Sequence, residues 1–170
     1  MQKPTKTLAV IMQRRATRNR WVSVAWEPWS VLESDESQGG PRMLVERADV
    51  AQWLYPGFEL VLHRDEAEGY YLNVSTDSPK VFVLWIMDAA RAGEDAARDS
   101  ENAARGVPLQ VTASYHEASR WMDAGHTMDC VPMPADLFAW VGEYVENNYR
   151  PEPRKRIKPR SFVHPKDRVG

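Results

Sequence analysis

The hydrophobic spacing of the chain changes once, near Ser114, from a period of two to a period of about 3.6. That switch puts strand-forming sequence first and helix-forming sequence second, which argues against alternating βαβ units. Upstream, Thr7–Gln13, Trp21–Glu27, Trp29–Glu33, Phe58–His63, Glu68–Val74 and Lys80–Met87 are rich in β-branched and aromatic residues and are divided by Pro, Gly, Asp and Ser, the composition of short strands. Val22, Val24 and Trp26 alternate with Trp21, Ser23 and Ala25, while Phe58, Leu60 and Leu62 alternate with Glu59, Val61 and His63; each strand therefore has one buried face. Leu60–His63, the charged turn Arg64–Glu68 and Gly69–Val74 read as an antiparallel hairpin. Val81–Met87 is apolar throughout, which predicts a central strand covered on both faces. Val107–Ala113 resumes the strand pattern.

Downstream, Ser114-Tyr-His-Glu117 matches a capping box and Gly125 supplies a left-handed stop, predicting a helix over Tyr115–Ala124 with Ala118, Trp121 and Met122 on one face. Pro134 opens a second helix, in which Leu137, Trp140, Val141, Tyr144 and Val145 form a stripe that should pack on the sheet. The expected fold is α+β: an antiparallel sheet, or a partly open barrel or sandwich, over the N-terminal two thirds, with two C-terminal helices packed on it and a basic extended tail. Residues 1–6 are expected to be disordered, residues 7–148 to form one domain, and residues 149–170 to form the tail. Glu33–Gly40 reads as an acidic loop, and Asp88–Gly106, with seven alanines and eight charged residues but no apolar face, as a mobile insertion at 88–106.

A chain of 170 residues, 43% apolar, can bury one core without disulfides or a structural metal. Its longest apolar run falls far short of the roughly 18–20 residues that cross a bilayer, and Leu8–Met12 runs straight into Gln13, Arg14 and Arg15, too short for a secretory segment. With a single Cys130, which forbids an intrachain disulfide, these features lead us to expect no membrane span and a cytoplasmic protein. The net charge of −2 conceals three zones. Residues 1–20 carry six bases and no acid, residues 149–170 carry eight bases and two acids, and the body between them carries 22 acids against eight bases. Basic ends on an acidic body suggest interaction arms, or ends that fold back on that body.

Phosphate-cradling, hydrolase-elbow and zincin motifs are all absent. Three weaker constellations remain. His126, Asp129 and Cys130 could ligate a metal or pair a thiolate with an imidazole, but a loop histidine and a small buried cysteine explain them more simply. His63, Arg64, Asp65, Glu66 and Glu68 crowd a turn that is too solvated to split carboxylate pKa values for acid/base work. Trp21, Trp26 and Trp29 lie beside Arg18 and Arg20; they fit core or partner contact better than nucleobase stacking, because the acidic body repels phosphate and leaves only the tails to touch nucleic acid. The tail is broken by prolines at 151, 153, 159 and 165 and should be extended, with Arg154, Lys155, Arg156, Lys158 and Arg160 solvated and Phe162 and Val163 as its apolar anchor. The expected partner-binding residues are therefore those five bases, Phe162, Trp21 and Trp29. No catalytic, cofactor-binding or metal-binding residue is assigned, and no cofactor is expected.

Met12-Gln-Arg-Arg15, Asn19-Arg-Trp21, the stretch from Pro56 to Asn73, Val81-Phe-Val83, Val111 to Trp121 and Val131-Pro-Met-Pro134 together resemble a family of small uncharacterised bacterial proteins encoded beside molybdenum-dependent formate dehydrogenases. Some members carry the label of a molybdopterin-guanine dinucleotide biosynthesis protein. The resemblance implies an accessory assembly or maturation role for such a dehydrogenase, exercised by binding a protein partner such as one of its subunits. It supplies no catalytic residues. An enzyme or carrier handling the anionic pterin, with Arg14, Arg15 and Arg18 on phosphate, is the alternative; weak nucleic-acid binding by the tail is a further one. The nucleotidyltransferase label fits the residues poorly, since Leu8–Met12 leads into Gln13-Arg14-Arg15 where a glycine-rich phosphate loop would stand, and Gly39-Gly40 only closes an acidic loop.

Overall fold

Residues 2–88 and 104–153 are described by the computed structural model, and they form two antiparallel sheets and three α-helices. The first sheet has the order β2-β1-β4-β3, from β1 (Thr5–Ala16), β2 (Val24–Glu33), β3 (Arg42–Glu46) and β4 (Val50–Val61). The second has the order β6-β5-β7, from β5 (Lys80–Asp88), β6 (Arg105–Thr112) and β7 (Met128–Pro132). Helices α1 (Ala67–Val74), α2 (Tyr115–Asp123) and α3 (Ala135–Asn148) complete the fold. The α+β class read from the sequence is therefore the one observed, with no closed barrel among the described residues.

Leu8, Val10 and Met12 of β1 are fully buried on the face that meets the second sheet, and each contributes about 1.5–3 kcal/mol of apolar burial. Val81, Val83 and Trp85 of β5 and Val107 and Val111 of β6 belong to the same core. The sheets approach closely where Gly106 sits: a Cβ there would lie 3.0 Å from Trp26 Cβ and 3.1 Å from Met12 Cε, and next to it the Arg105 guanidinium stacks 3.8 Å from the Trp53 ring centre. As expected, β5 is the central strand of its sheet and buries five residues in succession, Val81–Trp85.

The helical expectations hold as well. Ser114 Oγ accepts from Glu117 N–H at 3.2 Å, and Gly125 has φ +79°. Leu137, Val141 and Val145 are buried, with Trp140 and Tyr144 packed against the same core. On α2 only Ala118 is buried, while Met122 is exposed.

Three readings need correction. Glu68–Val74 is helix α1, so the hairpin read through Arg64–Glu68 does not exist; a 3-10 turn over Arg64–Glu66 leads into the helix. Aromatic and β-branched content suggested a strand, but the buried residues Ala67, Tyr70 and Asn73 recur every third position, the spacing of one helix face. Trp21–Glu27 and Trp29–Glu33 are not two strands: Trp21–Ser23 lie in the turn, and Val24–Glu33 form one strand, β2, which passes through Pro28 because a bulge leaves Trp29 unpaired between the Ile11–Ser30 and Met12–Pro28 pairs. Cys130 is not buried: it lies exposed on β7, in what was read as loop. In addition, β1 starts at Thr5, within the segment 1–6 expected to be disordered, and most of the insertion expected at 88–106 lies outside the described residues.

Tyr70 connects α1 to the end of β4. Its ring is buried, and its hydroxyl accepts from His63 N–H at 3.1 Å and reaches the Val61 carbonyl at 3.4 Å. Burial raises its pKa well above the ordinary phenol value. A group that holds its proton more tightly when folded stabilises fully below its unfolded pKa, near 10, and ever less above it. The Tyr70 contribution to stability should be level up to about pH 10 and then fall by as much as about 1.4 kcal/mol per pH unit. Denaturant melts at pH 9 and pH 11 check this; Tyr70→Phe should flatten the slope, and an equal slope in the variant would contradict the assignment.

Candidate interaction surface

The clusters that chemistry would require are mostly committed to structure. Glu66 accepts from both Ser114 Oγ and the Arg120 guanidinium, a bond that raises the Arg120 pKa, and so ties the start of α1 to α2. Arg64 Nε donates to Asn148 Oδ1 at 3.2 Å, His63 Nδ1 lies 3.1 Å from Lys3 Nζ, and Glu68 pairs with His116 at 3.5 Å. His116 therefore turns to Glu68, and the fully buried Ser114 hydroxyl has no imidazole partner. Asp129 Oδ2 accepts from the Trp85 indole at 2.8 Å, while Cys130, its neighbour on β7, points to the other face; His126 is exposed in the preceding turn. No group of three or more His, Cys, Asp or Glu side chains able to hold a metal ion occurs among the described residues.

What remains is a surface. The turn from β1 to β2 carries Trp21, 86% exposed, with Val22 beside it at 49%. Asn19 Oδ1 accepts from Trp21 N–H at 2.9 Å, and Thr17 N–H donates to Ser23 C=O at 3.0 Å, so the turn presents this indole in a defined place. Arg18 and Arg20 flank it. The β3–β4 turn comes alongside through Ala16 N–H to Asp49 C=O at 2.8 Å and adds Arg47 to the same end, with Glu46 and Asp49 nearby. The side chains of Arg14, Arg18, Arg20 and Arg47 form no ion pair or hydrogen bond among the described residues, whereas Arg15 Nε donates to Glu27 at 3.0 Å. Arg14 and Arg15 are neighbours on β1 and so point to opposite faces, which does not bring Arg14, Arg15 and Arg18 together as one phosphate grip.

The residues expected to bind a partner separate in space. Trp26 is core. Trp29 is 49% exposed on its bulge, five residues into β2 from Val24, whereas Trp21 lies in the turn before that strand. Arg154, Lys155, Arg156, Lys158, Arg160 and Phe162 lie outside the described residues. Arg47 was missed because β3 and the first half of β4 were not recognised; the apolar stretches Met43–Val45 and Val50–Tyr55 around Arg47-Ala-Asp49 carried that signal.

The sequence model of the family described as "Protein of unknown function (DUF3305)" matches residues 7–158. The chain belongs to this family. No curated protein matches it, and no solved structure matches it. The match runs from the first strand through α3, and so takes in the Trp21 turn and every element of both sheets. No helix among the described residues is long and apolar enough to cross a membrane.

Proposed function

We propose that the chain is an accessory assembly or maturation protein for a molybdenum-dependent formate dehydrogenase and acts by binding a protein partner, either a subunit of that enzyme or its cofactor-loading machinery. The observation that carries the binding part is Trp21: a large aromatic 86% exposed, fixed by its turn and flanked in sequence by Arg18 and Arg20, which have no side-chain partner among the described residues. An indole left in water forgoes about 1.5–3 kcal/mol of burial, which a partner's pocket recovers, and tryptophan and arginine are the residue types that dominate binding energy in protein interfaces. What supports the dehydrogenase is the resemblance carried by Met12–Arg15, Asn19–Trp21 and the stretches from Pro56 onward, and the first two of these lead directly into the exposed turn. The basic tail is assigned to the same role on its sequence alone.

Genetic complementation tests the proposal. Removing the gene should lower formate dehydrogenase activity, the wild-type chain should restore it, and Trp21→Ala should not, although the variant melts within about 0.5 kcal/mol of wild type because Trp21 is 86% exposed. Unchanged activity after removal, or full rescue by Trp21→Ala, would refute it.

A further inference from the structure

β4 has a neighbour on both sides along only its first half. β3 pairs with Ala51–Leu54 and stops, while β1 follows β4 as far as Val61. Leu62 N–H donates to Pro4 C=O on the β1 side at 2.9 Å. Peptide groups alternate sides along a strand, so those of Leu60 also turn to β1 and those of Glu59 and Val61 turn away from it. Across from this open edge lies β6, whose one paired neighbour is β5. Trp85 N–H donates to Thr127 C=O on the β7 side at 3.1 Å, and the same alternation turns the peptide groups of Val111 outward. Between the two edges runs a groove of about 490 Å³, lined by Glu59, Val61, His63, Gln110, Val111 and Glu117 among others, with no lysine or arginine in its walls. The bulge at Pro56-Gly57 limits the β4 edge at one end and the Tyr70 hydroxyl at the other.

We infer that this groove takes an extended, lysine- or arginine-bearing segment of a partner protein, which adds as a strand to the Phe58–Val61 edge of β4 and sets its bases against Glu59 and Glu117. The inference rests on the reading of the chain as a protein-binding factor and names a second contact for it, apart from Trp21. The Val61 C=O is held by the Tyr70 hydroxyl, but the Glu59 peptide groups and the Val61 N–H have no strand opposite them, and such groups are a template for another strand. Charge selects which strand: an acidic segment is repelled, and a second copy pairing through the same edge would set Glu59 against Glu59, so the self-complex is disfavoured. A basic segment meets the carboxylates of Glu59 and Glu117, while the one basic group in the groove's lining, the His63 imidazole, lies against Lys3 Nζ at 3.1 Å.

The test uses the full chain and a fluorescein-labelled octapeptide of alternating lysine and valine, with a glutamate–valine octapeptide as control. We expect the basic peptide to bind and the acidic one not to, Glu59→Lys to weaken binding at least tenfold, and the Glu59 and Val61 amides to exchange at least tenfold more slowly with peptide bound. Equal binding of the two peptides, no binding of either, or unchanged exchange at Glu59 and Val61 would overturn the inference. A full-length variant carrying Arg154→Gln, Lys155→Gln, Arg156→Gln, Lys158→Gln and Arg160→Gln settles the source: if it binds the peptide more than tenfold better than wild type, the chain's own tail fills the groove and the external partner is wrong. Loss of this site alongside intact Trp21-dependent rescue removes the groove alone; loss of that rescue with the groove still binding removes the dehydrogenase reading alone.

Discussion

Gly69→Ala will destabilise the protein by about 2–3 kcal/mol, although alanine is the better helix former by about 1 kcal/mol. A Cβ at this position of α1 would lie 2.2 Å from Ser114 Oγ and 3.2 Å from Ser114 Cβ. Ser114 has nowhere to go, because its side chain is fully buried and its hydroxyl both caps α2 and donates to Glu66. Steric overlap thus outweighs propensity, and α1 must shift from the α2 start. For a chain of this size the loss corresponds to a fall in Tm of roughly 4–12 °C. Gly142→Ala in α3 is the matched control, since nothing lies within 4 Å of its added Cβ; it should gain up to about 1 kcal/mol. Thermal melts of both variants decide the matter, and a Gly69→Ala protein as stable as wild type would mean that the α1–α2 contact is looser than described.

The second large effect belongs to Asn73, the most connected buried polar side chain. Its Nδ2 donates to Lys80 C=O at 2.7 Å and to Ala113 C=O at 2.8 Å, and its Oδ1 accepts from Lys80 N–H at 2.9 Å. One amide thereby joins the end of α1, the start of β5 and the exit of β6. Asn73→Ala leaves three backbone groups without partners and should cost about 2–4 kcal/mol in denaturant melts. Asn73→Asp keeps the shape and the acceptor but places a carboxylate against two carbonyl oxygens. Its folded pKa must rise above the usual value near 4, so its stability is retained at low pH and lost as pH climbs through the raised pKa. The aspartate variant should therefore be closer to wild type at pH 4 than at pH 7. A cost under about 1 kcal/mol for Asn73→Ala, or no pH dependence for Asn73→Asp, would contradict this role.

Legibility in the sequence followed how far each element's signal was local. The α2 cap, the Gly125 stop, the α3 stripe and the continuous apolar run of β5 are all written within a dozen residues, and all were readable. The α1 helix was not, because its eight residues mix aromatic and polar groups and its buried face includes Gly69 and Asn73, whose burial depends on Ser114 and on Ala113, both about 40 residues or more away in sequence. β7 was missed for a similar reason: of Met128–Pro132 only Val131 is buried, too few for a period to show. The bulge at Trp29, which lets β2 run through a proline, depends on β1 lying alongside. For the surface, the sequence set Trp21, Trp26 and Trp29 together beside Arg18 and Arg20 as core or partner contact, and the fold separates them: Trp26 is core, while Trp21 is exposed in its turn and Trp29 half-exposed on β2. The groove between β4 and β6 could not be foreseen, because it depends on where two different sheets leave their edges open.

Trp21 is the proposed contact to a partner, and the most direct measurement of that role is a quantitative affinity capture from the native cell with full-length wild type and Trp21→Ala side by side. Truncating a central interface tryptophan costs about 2 kcal/mol or more of binding, roughly 30-fold. The prediction is a formate dehydrogenase subunit or a component of its cofactor-loading machinery enriched on the wild-type chain and depleted about 30-fold on the variant at equal bait stability. Capture of the same proteins in the same amounts by both chains, or the absence of that enzyme and its loading machinery from the wild-type capture, would contradict it.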